Sequence, residues 1–379
     1  MNRRDFILQS GAGAAVVGLG TAAVGASTFN SAQPQKAPAS ATAGKPFLMK
    51  LGCQSGPSTE EHFAFFARFG VNNICAAAKP APGKAYSTAD DLRALKDMAN
   101  RHGLSLDMIS TVLLPSTNID REPHPAIMLA DSPERDRDIE AFQTSIRNAA
   151  LAGIPSIKYN MSILGVLRTG EVPGRGDALY KKWNLAEAKP DKPLTRAGVV
   201  DADRFWERIS YFLEHVVPVA NEYKIRIACH PEDPGVPKSG YMGVDRVLGT
   251  VDGLKKFVGI QESPYHGLNF CQGTVSEDLY HPNDELPDVV RWFGTRKKIF
   301  NVHFRNIRGH RDNFVETFPD DGDVDFVKML QVYREVGYDG MMMPDHVPVV
   351  PNQPDAAHQE FAFAYGYIRG LLQSAQRLT

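Results

Sequence analysis

The sequence predicts a single (β/α)8 barrel, and three observations carry that reading. From Pro46 onward, short β-rich runs alternate with amphipathic helical stretches, and such units number eight. The 379 residues, 43% hydrophobic and 23% charged with a formal net charge of -2, suit one barrel bearing insertions. No Gly-x-Gly-x-x-Gly follows the first strand, so eight parallel units favour closure over an open dinucleotide-binding sheet. Nothing in this ordinary balance of charge and apolar content suggests a nucleic-acid binder or a disordered chain.

Strand one is expected at 48–54 with a helix from about Thr59, and strand two at 72–77 with a helix over 88–102. Strand three is expected at 105–114; its helix, 133–151, opens on the Asp131-Ser132-Pro133 start signal. Strand four is expected at 157–163. A Gly-, Pro- and charge-rich insertion over 164–199 then precedes a helix over 201–223, in which Phe205, Ile209, Phe212 and Leu213 recur at helical spacing. The last four strands are expected at 225–230, 267–271, 299–306 and 340–344, with helices near 245–258, 286–292, 324–336 and 356–373.

Ahead of the barrel, Arg3 and Arg4 before Phe6, followed by a Gly- and Ala-rich apolar run over 11–26, resemble a twin-arginine signal peptide over residues 1–26. That run falls short of the ~20 strongly apolar residues needed to span a membrane. Residues 27–45 have almost no large apolar side chain and read as a flexible linker, leaving 46–379 as the catalytic domain. The leader implies the twin-arginine export machinery as a partner and a periplasmic location. Cys53, Cys75, Cys229 and Cys271 lie far apart with no Cys-x-x-Cys pair, which indicates neither a disulfide scaffold nor a zinc knuckle.

Barrel active sites lie at the C-terminal ends of the strands. Here strand five ends in Cys229-His230-Pro231-Glu232-Asp233-Pro234 and strand six in Asn269-Phe270-Cys271-Gln272-Gly273. Strand seven carries Val302-His303-Phe304-Arg305-Asn306, and strand eight ends in Met343-Pro344-Asp345-His346. Singly, His230 and His303 read as satisfied core histidines and Cys271 as a small buried hydrophobe. Together, one ligand-type residue from each of four adjacent strands would converge on one point. Imidazole and thiolate bind borderline divalent ions, a carboxylate offsets charge, and open positions remain for substrate oxygens.

These four segments, with Lys158-Tyr159-Asn160-Met161 and Arg168-Thr169, resemble the metal-site motifs of bacterial mannonate dehydratases. The resemblance covers strands four to eight. It implies a xylose-isomerase-like barrel, manganese held by His230, Cys271, His303 and Asp345, and removal of water from a sugar acid to give a 2-keto-3-deoxy product. It also implies an acid/base role for His346. The donor set itself suits Zn, Fe or Co as well. Arg305 and Arg168 could clamp a carboxylate or form a rim salt bridge. Asn160 and Asn306 are weaker candidates for hydroxyl contacts. The loop Arg308-Gly309-His310-Arg311-Asp312 resembles the family's segment over the active site, which makes Arg308 and His310 candidates as well. Related barrels commonly associate, so a homo-oligomer is expected.

Two departures accompany the resemblance: no tyrosine stands between strand eight and Tyr365, and Leu167 replaces a tryptophan. With the export signal, they point to another aldonate, a keto-sugar or an oligosaccharide fragment in place of mannonate. A sugar isomerase or epimerase on the same barrel is the alternative; Tyr159 and Asn160, where such enzymes place a glutamate, disfavour it modestly. A sugar-binding protein ranks third, because it needs no thiolate-bearing metal site.

Overall fold

A strand buried on both faces is stable only where side chains fill one side and helices cover the other. Strands such as Asn73–Ala76 and Ile299–His303 are buried at every position. In the computed structural model, which describes residues 45–54, 56–353 and 355–377, both coverings are present. The chain runs β1 (Lys50–Cys53), α1 (Glu60–Arg68), β2 (Asn73–Ala76), α2 (Ala89–Arg101), β3 (Ser105–Ser110), α3 (Ala126–Leu129), α4 (Glu134–Leu151) and β4 (Ser156–Asn160). It continues through β5 (Gly170–Pro173), β6 (Leu179–Asn184), α5 (Ala202–Tyr223), β7 (Arg226–His230), α6 (Val251–Gly259), β8 (His266–Cys271), α7 (Gln272–Glu277) and α8 (Pro282–Thr295). Then come β9 (Ile299–His303), β10 (Ile307–His310), β11 (Asn313–Glu316), α9 (Phe326–Glu335), β12 (Met341–Met343) and α10 (Ala356–Arg377).

Eight strands close into a parallel barrel in the order β1-β12-β9-β8-β7-β4-β3-β2, as the alternation of units predicts. Helix starts follow local chemistry: the side chains of Thr59, Thr88, Asp201, Thr250 and Asp325 each accept a hydrogen bond from a first-turn amide. Strand parity divides the core. Tyr159 faces outward against Phe142 of α4 and Phe212 of α5, at ring distances of 5.3 and 5.5 Å. A separate apolar cluster of Cys75, Met108, Ala228, Phe300, Met341 and Met343, contributed by strands around the barrel, plugs its interior.

The insertion differs from expectation. Within 164–199, β5 and β6 form an antiparallel pair, and β6 pairs with β11 of a second hairpin, β10–β11, to complete a four-stranded sheet. The expected polar loop at 308–312 is therefore largely strand and hairpin turn. The helix expected from 245 starts at Val251, because Thr250 caps it there, and strand three ends at Ser110, short of Leu114, whose φ is 54°. The leader and nearly all of the linker lie outside the described residues. Among those described, no helix is long and apolar enough to cross a membrane.

Candidate active site

Parallel register brings the strand ends to one level. Asn160 pairs with His230, Cys271 with His303, and His303 with Met343, two residues before Asp345. Ligand atoms of His230, Cys271, His303 and Asp345 accordingly lie within 4.8 Å of one another. His230 Nδ1 is 2.6 Å from the carbonyl oxygen of Pro231, which leaves Nε2 for the cluster. His303 Nε2 is 3.1 Å from the Asn269 amide, and its Nδ1, buried without a hydrogen-bond partner, lies 3.4 Å from the Asp345 carboxylate. An orphaned imidazole nitrogen facing a thiol and a carboxylate suits a metal site, in which neighbouring groups fix which nitrogen faces the ion.

The protonation states fit ligation. Burial pushes His230 down to about 4, into its neutral form. Burial also pushes the Cys271 thiol up, but Arg305, with Nη2 3.6 Å from Sγ, and His303 outweigh it and lower the pKa. Asp345 is held well below the usual carboxylate range, because His346, His303 and Arg305 overcome its burial.

Beside these residues lies a buried ion cluster. Arg168 reaches Asp233 at 2.5 Å and Glu277 at 3.3 Å, and also pairs with Glu316. Arg305 reaches the same three carboxylates at 3.0, 2.7 and 2.6 Å. Burial drives the Glu277 carboxyl well up. Asp233 is held well below its ordinary value by the two arginines and His346, against its burial. Glu316, the last residue of β11, is buried but falls to about 2 beside Arg168, His346 and Arg305. Its Oε1 sits 2.7 Å from His346 Nδ1. Burial lowers the His346 pKa, but Asp345 and Glu316 more than compensate and raise it to about 9. These two carboxylates thus favour the imidazolium form of His346.

A small cavity opens over this level. Asn160, His230, His303, Asp345 and His346 line it; so do Gln54, Lys158 and Glu232, which sequence reasoning did not single out as site residues. The remaining candidates lie elsewhere. Arg305 and Arg168 are committed to the ion cluster. Asn306 donates to the carbonyls of Pro319 and Val324 and accepts from two backbone amides. Arg308 pairs with Asp321 at 2.8 Å on the exposed face of β10. His310, exposed at the end of the same edge strand, faces the Arg311 carbonyl. The second hairpin turns this segment away from the cavity into its own sheet.

Residues 181–379, just over half of the chain, match the family described as D-mannonate dehydratase. The chain is similar to the mannonate dehydratase of Shouchella clausii, 30% identical over 291 residues, covering 68% of this chain and 76% of the relative. It superposes on the mannonate dehydratase of Streptococcus suis with a TM-score of 0.72 at 23% identity, covering 87% of this chain and 95% of that one. A xylose isomerase domain protein from Planctomyces limnophilus shares the barrel at a TM-score of 0.53 and 13% identity, covering 87% and 98%.

Proposed function

The chain belongs to the D-mannonate dehydratase family, and from that premise we propose that it is a metal-dependent hydro-lyase that converts a sugar acid of the aldonate class to a 2-keto-3-deoxy acid. The observation that carries this reading is that ligand atoms of His230, Cys271, His303 and Asp345 lie within 4.8 Å of one another at a cavity lined by His230, His303, Asp345 and His346. The four would hold a divalent ion, manganese by family likeness, which when bound stabilises negative charge developing on substrate oxygens.

The chain's own groups supply the acid and the positioning. His346 offers Nδ1–H to Glu316, which fixes the ring and leaves Nε2–H as the mobile proton toward the cavity. That proton goes to the departing hydroxyl as its C–O bond breaks, while a base takes the proton from the carbon beside the carboxylate, so that water leaves and the double bond forms. Arg305 does not reach the cavity; it lowers the Cys271 thiol and holds Glu316, and so acts through other residues. Asn160, level with His230, is placed to bond a substrate hydroxyl. The paired arginines near the N-terminus support export by the twin-arginine route and action in the periplasm, where the substrate would be a free aldonate or a related carbohydrate fragment.

The test incubates purified, metal-loaded protein with D-mannonate and a panel of aldonates and neutral sugars. A 2-keto-3-deoxy product from an acid, lost on chelation, is expected. A rearranged neutral sugar without loss of water would move the chain to an isomerase or epimerase.

A further inference from the structure

We propose that Lys158 is the residue that recognises the carboxylate of the substrate and sets the preference for sugar acids over neutral sugars. The inference rests on the sugar-acid reading above. Strand parity puts Lys158 in the barrel: in β4, Ile157 and Tyr159 are buried toward the helices, while Lys158 and Asn160 are the half-buried positions that line the cavity. Lys158 pairs in register with Ser110 and with Ala228, a member of the apolar plug beneath the site.

A charge balance singles this side chain out. A bound divalent ion would be neutralised by the Cys271 thiolate and the Asp345 carboxylate, so the metal centre alone attracts an anion weakly. Arg168 and Arg305 are spent on Asp233, Glu277 and Glu316, and His346 is hydrogen-bonded to Glu316. Among the described residues lining the cavity, Lys158 is the remaining cation, and its hydrogen bond goes to a neutral atom, Oε1 of Gln54. An ammonium has three donors, and the bond to Gln54 uses one of them. A carboxylate entering the cavity supplies the missing partner.

The position is also the right one for the reaction. Gln54 takes its bond from Lys158 on one side of its amide and donates Nε2–H to Asp345 Oδ1 at 2.7 Å on the other. One amide therefore separates the ammonium from a ligand of the metal. A substrate whose carboxylate rests on Lys158 would bring its neighbouring carbons close to the metal centre.

The test titrates metal-loaded wild-type protein, Lys158→Met, Lys158→Gln and Lys158→Arg with D-mannonate and with the neutral polyol D-mannitol by calorimetry, with metal content measured for each. A charge-assisted hydrogen bond removed from a binding site weakens affinity by about 10- to 100-fold. Lys158→Met and Lys158→Gln are expected to lose that much affinity for mannonate, keep their weak affinity for mannitol and their metal, and leave Lys158→Arg close to wild type. Mannonate affinity unchanged in either neutral variant that folds, or a wild-type protein that binds no aldonate, overturns the proposal. A wild-type protein that binds mannonate through Lys158 yet releases no keto-deoxy acid from any aldonate would retain this inference and refute the dehydratase reading. Turnover with a KM indifferent to Lys158 would do the reverse.

Discussion

His346 joins two features seldom found together: an imidazole at the mouth of a cavity and a pKa raised to about 9. Because the folded value lies above the ordinary one, the ring is charged at neutral pH and loses its proton only as pH rises through the raised value. Activity should therefore hold through neutrality and fall on an alkaline limb. In Glu316→Gln, one of the two carboxylates that raise the pKa is gone, so that limb should move to lower pH, whereas His346→Ala should lose ~10²- to 10⁴-fold in kcat with metal content unchanged. Identical pH–rate profiles for Glu316→Gln and the wild type would remove Glu316 from the proton-transfer apparatus. At this scale the sequence was legible where residue type announces chemistry: His230, Cys271, His303 and Asp345 stand at strand ends and are ligand types. It carried Lys158 only inside a motif, with no role, and passed over Gln54, because lysine and glutamine are common surface residues, and only the parity of β4 and the closing of β1 against β12 turn them inward. Arg305 and Arg168 were visible as candidates, but not the three acidic partners that claim them, since those come from the segment after β7, from α7 and from β11 and meet only in the fold.

The eight barrel units could be read because each combines a buried run with a helix of clear period, so local pattern and final structure agree. The four-stranded sheet could not. Its strands are four to six residues long, and β6 finds its partner β11 well over a hundred residues later, across three barrel strands. Nothing local specifies such a pairing. The sheet nevertheless shapes the active site, since β11 ends in Glu316 and Arg168 lies two residues before β5. Its stability rests on few large side chains: Trp183 of β6 is 1% exposed and packs edge-on against Tyr241 at 5.6 Å, and Phe314 of β11 is 2% exposed. Truncating a buried aromatic of this kind costs about 3–5 kcal/mol. Trp183→Ala should therefore loosen the sheet while the barrel keeps its far-ultraviolet circular dichroism, and kcat should fall because Glu316 no longer fixes His346. A variant that loses stability but retains the full kcat would show that the sheet is dispensable to the chemistry.

At the scale of the whole molecule, the proposed metal centre would be a staple as well as a reagent site. Its donors come from the ends of β7, β8 and β9 and the segment after β12, so an ion there ties together half the staves of the barrel at one rim. The other rim and the interior are held by apolar packing, which needs no ion. An ion that binds the folded chain and not the unfolded one stabilises by RT ln(1 + [ion]/Kd), about 2.7 kcal/mol at a hundredfold excess over Kd. For a large single domain, a difference of this size displaces the thermal midpoint by several degrees. Stripping the protein with a chelator should therefore lower the midpoint, and adding back manganese should restore it in a concentration-dependent way. In Asp345→Asn or His230→Ala the chelator should have little left to remove, so the two midpoints with and without chelator should nearly coincide. The comparison reads ligation without any substrate. A wild-type midpoint indifferent to chelator and to added ion would mean that these four residues are a buried polar cluster held by Arg305 and Asn269 alone, and the case for metal-assisted chemistry would fall with it.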